Sequence, residues 1–253
     1  MNTAELWVNP PSNLTLSGNE VHVWRVALDV DATIVCSLFS TLCATEQQRA
    51  ERFYLQLHRD RFIVGRGVLR KVLANYLQIQ PNEINFSYNA YGKPSLVVAN
   101  QEPLRFNLSH SQELALIAVT QNCDVGVDLE CIRNDFPCQE IAARFFSPTE
   151  VAVLRSLPPH LQTTAFFTCW TRKEAFIKAT GKGLSLPLDK FDVSCFPGES
   201  AELLYTAWDE SEVQRWTLQE LIPDARYVGA LAVAEKNWHL SQYQFSWSEK
   251  RNL

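Results

Sequence analysis

The sequence predicts an α+β fold made of two similar halves, and three observations point there. A long helical pattern followed by antiparallel strand patterns occurs twice along the chain. No low-complexity linker separates the two occurrences, so the halves are expected to pack as one unit with a cleft between them. With 46% hydrophobic and 20% charged residues among 253, the chain has apolar side chains enough for a substantial core. The boundaries read as 1–122 for the first half, 123–234 for the second and 235–253 for a C-terminal extension.

The elements follow in order. Val21 to Val26 reads as a strand. Thr45-x-x-Gln48 resembles a capping box and opens a helical pattern through Phe53, Leu57, Val64, Val68, Val72 and Tyr76. That pattern is one long helix, or two joined near Gly65. Tyr91-Gly-Lys-Pro94 is a turn, and Leu104–Leu108, Leu114–Thr120 and Asp124–Glu130 read as three successive strands. Ser147-Pro-Thr-Glu150 has the N-cap, N1 and N3 residues of a helix start. A second long helix is expected over Leu161–Thr180, closed by Gly181 at C′. Strand patterns return at Phe191–Phe196, Trp216–Ile222, Tyr227–Ala234 and Leu240–Trp247.

Charge and cysteine content narrow the function. Net charge is −5, which argues against a partner such as nucleic acid or an anionic membrane. Between Thr45 and Lys71, however, seven basic residues face three acids, so this window is +4 and the rest of the chain −9. A local basic patch on an acidic protein suits a small polyanion. The seven cysteines include no C-x-x-C pair and sit mostly in apolar runs, the pattern of a reduced protein with a cytoplasmic location. The first 20 residues show no secretory-signal pattern, and no apolar run reaches the ~18–20 residues of a membrane span.

Three segments hold residues suited to chemistry. In Val125-Gly-Val-Asp-Leu-Glu130, strand alternation puts Gly126, Asp128 and Glu130 on one face. Two adjacent carboxylates repel unless a cation lies between them, and oxygen ligands favour Mg²⁺ before Ca²⁺; a solvated acidic face is the alternative. In Trp170-Thr-Arg-Lys-Glu-Ala-Phe-Ile-Lys178, helical spacing puts Trp170, Glu174 and Lys178 on one face. There Glu174 is either half of a surface ion pair or a third metal carboxylate, with Lys173 and Lys178 as phosphate-binding cations. In Phe106-Asn-Leu-Ser-His-Ser111, Ser109 and His110 end a strand, where they can donate to a phosphate or serve the fold alone. A Ser/His/Asp hydrolase is disfavoured, because adjacent Ser and His point apart and no G-x-S-x-G is present.

Taken together and in this order, Asn107-Leu-Ser-His-Ser111, Gly126-Val-Asp-Leu-Glu130, Arg144-Phe-Phe-Ser147 with Glu150, Trp170-x-x-Lys-Glu174 and Lys178-x-x-Gly-x-Gly-Leu184 resemble the 4′-phosphopantetheinyl transferases of the Sfp type. The match extends to Arg52-Phe-Tyr54, Tyr91-Gly-Lys-Pro94, Ser185-Leu-Pro-Leu188 and Phe191-Asp-Val193, spanning about residues 45–195. The opening Trp7-Val-Asn-Pro10 with Val21-His-Val-Trp24 is similar to cyanobacterial members.

The resemblance implies a monomeric pseudo-dimer of two α+β halves with coenzyme A in the cleft. It implies transfer of the 4′-phosphopantetheine arm of coenzyme A to a serine of an acyl or peptidyl carrier protein, releasing adenosine 3′,5′-bisphosphate. Asp128, Glu130 and Glu174 become the ligands of Mg²⁺, with Mn²⁺ as a substitute, and Glu174 or a water beside it becomes the base. Lys173, Lys178, Ser109 and His110 become phosphate contacts, and Lys93 lies near the nucleotide. Arg49 and Arg52 are placed at the 3′-phosphate with Arg61 sharing that role, because Glu46 stands where the best-known member has a basic residue. Ile132–Phe146 is implied as part of the carrier-docking surface, with Phe136 exposed and Phe145 and Phe146 open to a core role. The competing functions are a Mg²⁺-dependent nuclease or nucleotide hydrolase using the same carboxylates, and a non-catalytic module that binds coenzyme A or the carrier.

Overall fold

The computed structural model describes residues 6–97, 104–196 and 198–247. The first half runs through strand β1 (Glu20–Ala27), helices α1 (Ala32–Phe39), α2 (Ala44–Glu51) and α3 (Gln56–Leu77), a small hairpin β2 (Phe86–Tyr88) and β3 (Pro94–Leu96), then β4 (Leu104–Ser111) and β5 (Leu114–Gln121). The second half repeats this order: β6 (Val125–Cys131), α4 (Cys138–Phe145), α5 (Pro148–Ser156), α6 (Pro159–Thr180), a hairpin β7 (Phe191–Val193) and β8 (Leu203–Thr206), the short helix α7 (Ser211–Arg215), then β9 (Thr217–Leu221) and β10 (Tyr227–Val233).

The sheets repeat as well. β1, β5 and β4 lie side by side and antiparallel, as do β6, β10 and β9. The final strand β11 (His239–Gln244) returns to the first sheet and pairs parallel with β1. The expected extension therefore belongs structurally to the first half; its residues 248–253 lie outside the described ones.

The layers are α3, first sheet, second sheet, α6. Odd residues of β5 (Ala115, Ile117, Val119) join Val64, Val68 and Leu73 of α3 in one core. Its Leu116 and Ala118 face the second sheet and meet Val125, Val127 and Leu129 of β6. A third core packs α6 (Phe166, Phe176, Ile177) on Ala230 and Ala232 of β10. Strands buried on both faces need apolar residues on both, so β5 lacks clean alternation.

Three expectations from sequence need correction. The capping box of α2 is not Thr45-x-x-Gln48: Cys43 is the N-cap, and Glu46 Oε2 accepts its backbone N–H at 3.0 Å. The helix break falls between α2 and α3, and Gly65 lies inside α3. A helix, α4, occupies part of Ile132–Phe146, a stretch to which the sequence assigned no element. Phe136 is not an exposed contact; its ring packs 5.7 Å from Phe166 and 5.5 Å from Phe167, and it belongs to the α6 core. The box at Ser147 and the left-handed Gly181 (φ 68°) that closes α6 are as expected.

The two halves also repeat a buried ion pair. Glu46 of α2 accepts from Arg70 Nε of α3 at 2.7 Å, and Arg70 Nη1 donates to the Pro81 and Ile84 carbonyls, each at 2.9 Å. Glu150 of α5 pairs with Lys173 Nζ of α6 at 2.8 Å, and Lys173 donates to the Leu188 and Phe191 carbonyls at 2.8 and 2.5 Å. Each glutamate is the N3 residue of its helix, and each cation stands fourteen residues past the first residue of its long helix. A 3₁₀ turn after the long helix supplies both carbonyls, from its first residue and its C-cap. Such pairs persist in the interior because every charge and donor is matched.

Candidate active site

The site forms where the edge strands β4 and β6 meet under α6. Alternate polar residues of β4 reach across to the second half. Asn107 Oδ1 accepts the Val127 N–H at 3.0 Å, and Ser109 Oγ donates to Asp128 Oδ1 at 2.9 Å. Ser111 Oγ donates to Glu130 Oε2 at 2.9 Å and accepts the Cys131 N–H at 3.1 Å. Asn107 and Ser111 are functional-site residues not singled out from sequence, although their two-residue spacing with Ser109 already puts all three on one strand face.

The even residues of β6 face α6. A Cβ on Gly126 would lie 2.1 Å from the Ala175 carbonyl oxygen and 2.3 Å from the Ala179 nitrogen, so only glycine lets the helix backbone approach this closely. That approach sets α6 over Asp128 and Glu130. Lys178 Nζ donates to Asp128 Oδ1 at 2.5 Å and to Ser109 Oγ at 2.9 Å. Glu174, one turn earlier, enters the same field. Burial, then Asp128 and Glu130, push its carboxyl up to about 6. Burial and Asp128 likewise push Glu130 upward. Asp128 is 4% exposed, and its Oδ2 is buried without a hydrogen-bond partner.

Three carboxylates against one lysine, with one oxygen orphaned, is the donor set of a hard cation, and these residues fit Mg²⁺. They are not closed into a tight cage in this structure. Among the described residues, the only trio of His, Cys, Asp or Glu with ligand atoms within 4.8 Å of one another is Glu150, Cys169 and Cys195. There the Lys173 ammonium already serves as the cation, so that trio belongs to the fold.

On the other face of β4, an open cleft lies over α3. Arg49, Arg61, Phe62, Arg66, Tyr88 and His110 are among its lining residues. Arg49 lies over the Phe62 ring at 5.2 Å. Arg61 forks onto Asp29 at 2.7 and 2.8 Å. Loss of solvent, then the charges of Lys178, Arg61 and Arg49, hold His110 below the usual histidine range.

The structure thus brings together Asp128, Glu130, Glu174, Lys178 and Ser109 at one point, and Arg49, Arg61 and His110 at the adjoining cleft. It separates three expected contacts from both. Lys173 is fully buried on Glu150 and two carbonyls, and has no surface to offer a phosphate. Lys93 Nζ donates to the Ala179 and Val125 carbonyls at 2.7 and 3.2 Å, stapling the β2–β3 turn to the second half. Arg52 is exposed at the C-cap of α2 and does not line the cleft.

Among the described residues, no helix is long and apolar enough to cross a membrane, and all seven cysteines are free. Residues 124–232 match the 4′-phosphopantetheinyl transferase superfamily model, and residues 32–122 match the 4′-phosphopantetheinyl transferase N-terminal model. The chain is 43% identical to the 4′-phosphopantetheinyl transferase HetI of Nostoc sp. strain PCC 7120, over 92% of this chain and 95% of that one. It is 36% identical to the 4′-phosphopantetheinyl transferase Sfp of Bacillus subtilis, over 61% of this chain and 66% of that one. Two halves built on one plan, a carboxylate cluster between them and matches covering both belong together: the chain is a member of the 4′-phosphopantetheinyl transferase superfamily.

Proposed function

We propose that the chain transfers the phosphopantetheine arm of coenzyme A to a serine hydroxyl of an acyl or peptidyl carrier protein, with Mg²⁺ held by Asp128, Glu130 and Glu174. The observation that carries this reading is the buried, unpartnered Asp128 Oδ2 beside two further carboxylates of raised pKa. When bound, the cation would offset the charge of the pyrophosphate and of the departing bisphosphate.

The chain's own residues do the rest. Lys178 and Ser109, hydrogen-bonded to each other and to Asp128, present a cation and a hydroxyl at the reacting phosphate. Glu174, or a water beside it, accepts the proton of the attacking hydroxyl. Arg49 and His110 hold the nucleotide end in the adjoining cleft. Both halves of one chain contribute, so the site is complete in a monomer.

The test is incubation with coenzyme A, Mg²⁺ and an apo carrier protein, followed by mass spectrometry of the carrier. A gain of one phosphopantetheine arm, abolished by chelation and restored by Mg²⁺, supports the reading. Phosphate or nucleotide release without a carrier points to a hydrolase instead, and coenzyme A binding without either product points to a binding module.

A further inference from the structure

Arg66 is one of the seven basic residues between Thr45 and Lys71. It lines the cleft with Arg49, Arg61 and His110. Its Nε donates to Glu46 Oε1, its Nη2 donates to the Tyr88 hydroxyl at 2.8 Å, and its guanidinium lies 4.0 Å from the centre of the Phe86 ring. Three neighbours therefore hold it in one orientation, with two of its five N–H donors committed.

The repeated halves show that this arginine is not needed to balance Glu46. In the second half, Lys173 alone completes the pair with Glu150. In the first, Arg70 already plays that part, with the same two carbonyl acceptors. Arg66 is ten residues past the start of α3, and the corresponding residue of α6 is the neutral, buried Cys169. One carboxylate between two guanidinium groups leaves one positive charge in surplus. Arg70 is only 1% exposed, so the surplus is presented to the cleft through Arg66. Arg61 contributes less, because Asp29 takes its fork.

The strand β4 divides the substrate's anionic groups. Ser109 faces the carboxylates, and the next residue, His110, lines the arginine cleft. With the pyrophosphate at the carboxylates, the remaining anion of coenzyme A is the phosphate monoester on its ribose.

We propose that Arg66, paired with Arg49, binds that ribose 3′-phosphate and sets the preference for coenzyme A over its 3′-dephospho form, while Glu46 and Tyr88 act as positioning residues that aim Arg66. This rests on the coenzyme A reading given above. A guanidinium held on one side by a carboxylate and a phenol is pre-organised to donate to a phosphate on the other.

The experiment compares adenosine 3′,5′-bisphosphate with adenosine 5′-monophosphate by calorimetry, in wild type, Arg66→Gln and Tyr88→Phe. In parallel it compares KM for coenzyme A and for 3′-dephospho-coenzyme A. Arg66→Gln should weaken the bisphosphate roughly 10- to 100-fold while shifting the monophosphate less than about twofold. KM should rise for coenzyme A and not for the dephospho form. Tyr88→Phe keeps the charge and loses one anchor, so it should show the same selectivity at roughly 2- to 10-fold. Melting temperatures of both variants check the fold. Equal losses for both nucleotides, or no loss in either variant, overturn the assignment of Arg66. A wild type that transfers from coenzyme A but prefers its dephospho form overturns it too. A wild type that neither binds the bisphosphate nor uses coenzyme A overturns the parent reading, and this inference falls with it.

Discussion

The two halves are the same device put to different use. Each sets an N3 glutamate against a buried cation on its long helix, and each cation closes a 3₁₀ turn through two carbonyls. Around Glu150 and Lys173 the charge is balanced and enclosed. Around Glu46 the same frame carries a second arginine, which opens onto a cleft. At the residue after Lys173, α6 departs from balance in the opposite sense: Glu174 joins Asp128 and Glu130 with Lys178 as the partner cation. Balanced charge is enclosed within the fold, and unbalanced charge, of either sign, lies at the carboxylate cluster and the arginine cleft.

The widest separation is expected from Asp128 and Lys173. On the proposed reading Asp128→Ala removes a metal ligand and the partner of Lys178 together, so transfer should fall by at least about three orders of magnitude. Its fold should survive, since one of three mutually repelling carboxylates is gone. Melting curves with and without Mg²⁺ and coenzyme A check this: only wild type should rise with both present. Retained transfer in the variant would remove Asp128 from the site.

Lys173→Met should behave in reverse. It strands the Glu150 carboxylate in the interior, at a cost of about 3–5 kcal/mol in stability. The fraction that stays folded should transfer at the wild-type rate, measured by denaturant unfolding alongside turnover per folded molecule. A rate loss at unchanged stability would break the distinction drawn between the halves.

Lys178→Ala sharpens the contrast within one helix. Its side chain is 28% exposed and reaches the carboxylate cluster, so KM for coenzyme A should rise roughly tenfold, with a smaller fall in melting temperature than Lys173→Met gives. A lowered melting temperature with unchanged kinetics would move Lys178 into the same class as Lys173.

The smallest effect concerns Lys93, whose acceptors are carbonyls alone. Burial pushes its pKa down to about 8 from an ordinary 10.5. Between those values the unfolded chain binds the proton that the folded chain has released, so this group makes stability rise with pH across that window. The carbonyl acceptors favour the charged form and limit the gain to on the order of 1 kcal/mol. Comparing wild type with Lys93→Met by chemical denaturation from pH 7 to 10 isolates it: the difference between them should shift in favour of wild type as pH rises. A constant difference would show that the lysine keeps its ordinary pKa.

Much of the site was legible because it is written at the local periods. Asp128 and Glu130 two apart on a strand, and Glu174 and Lys178 four apart on a helix, share faces by geometry alone. The basic window across α2 and the first long helix was visible as charge, and the capping box at Ser147 as a motif. The roles of Lys173, Lys93 and Arg66 were not legible. Nothing in the spacing of Lys173 and Lys178 says that the first turns inward onto Glu150 and the second onto Asp128. Nor could Glu46 be read as an anchor rather than an obstacle to phosphate binding, since its two arginines lie a full helix away.

By itself the sequence determined the α+β class, the order of long helices and strands, the strand face bearing two carboxylates, the helix face bearing the third, and a net −5 chain with one basic segment. These depend on the residue order and the period of each element. Tertiary structure alone decided which cations are spent. Lys93, Arg70 and Lys173 are consumed by carbonyls and glutamates brought from distant parts of the chain, while Arg49, Arg66 and Lys178 are left at the cleft and the carboxylates. A lysine or arginine carries the same charge wherever it stands, and only the packing of elements around it fixes whether that charge is matched inside the protein or offered to a ligand.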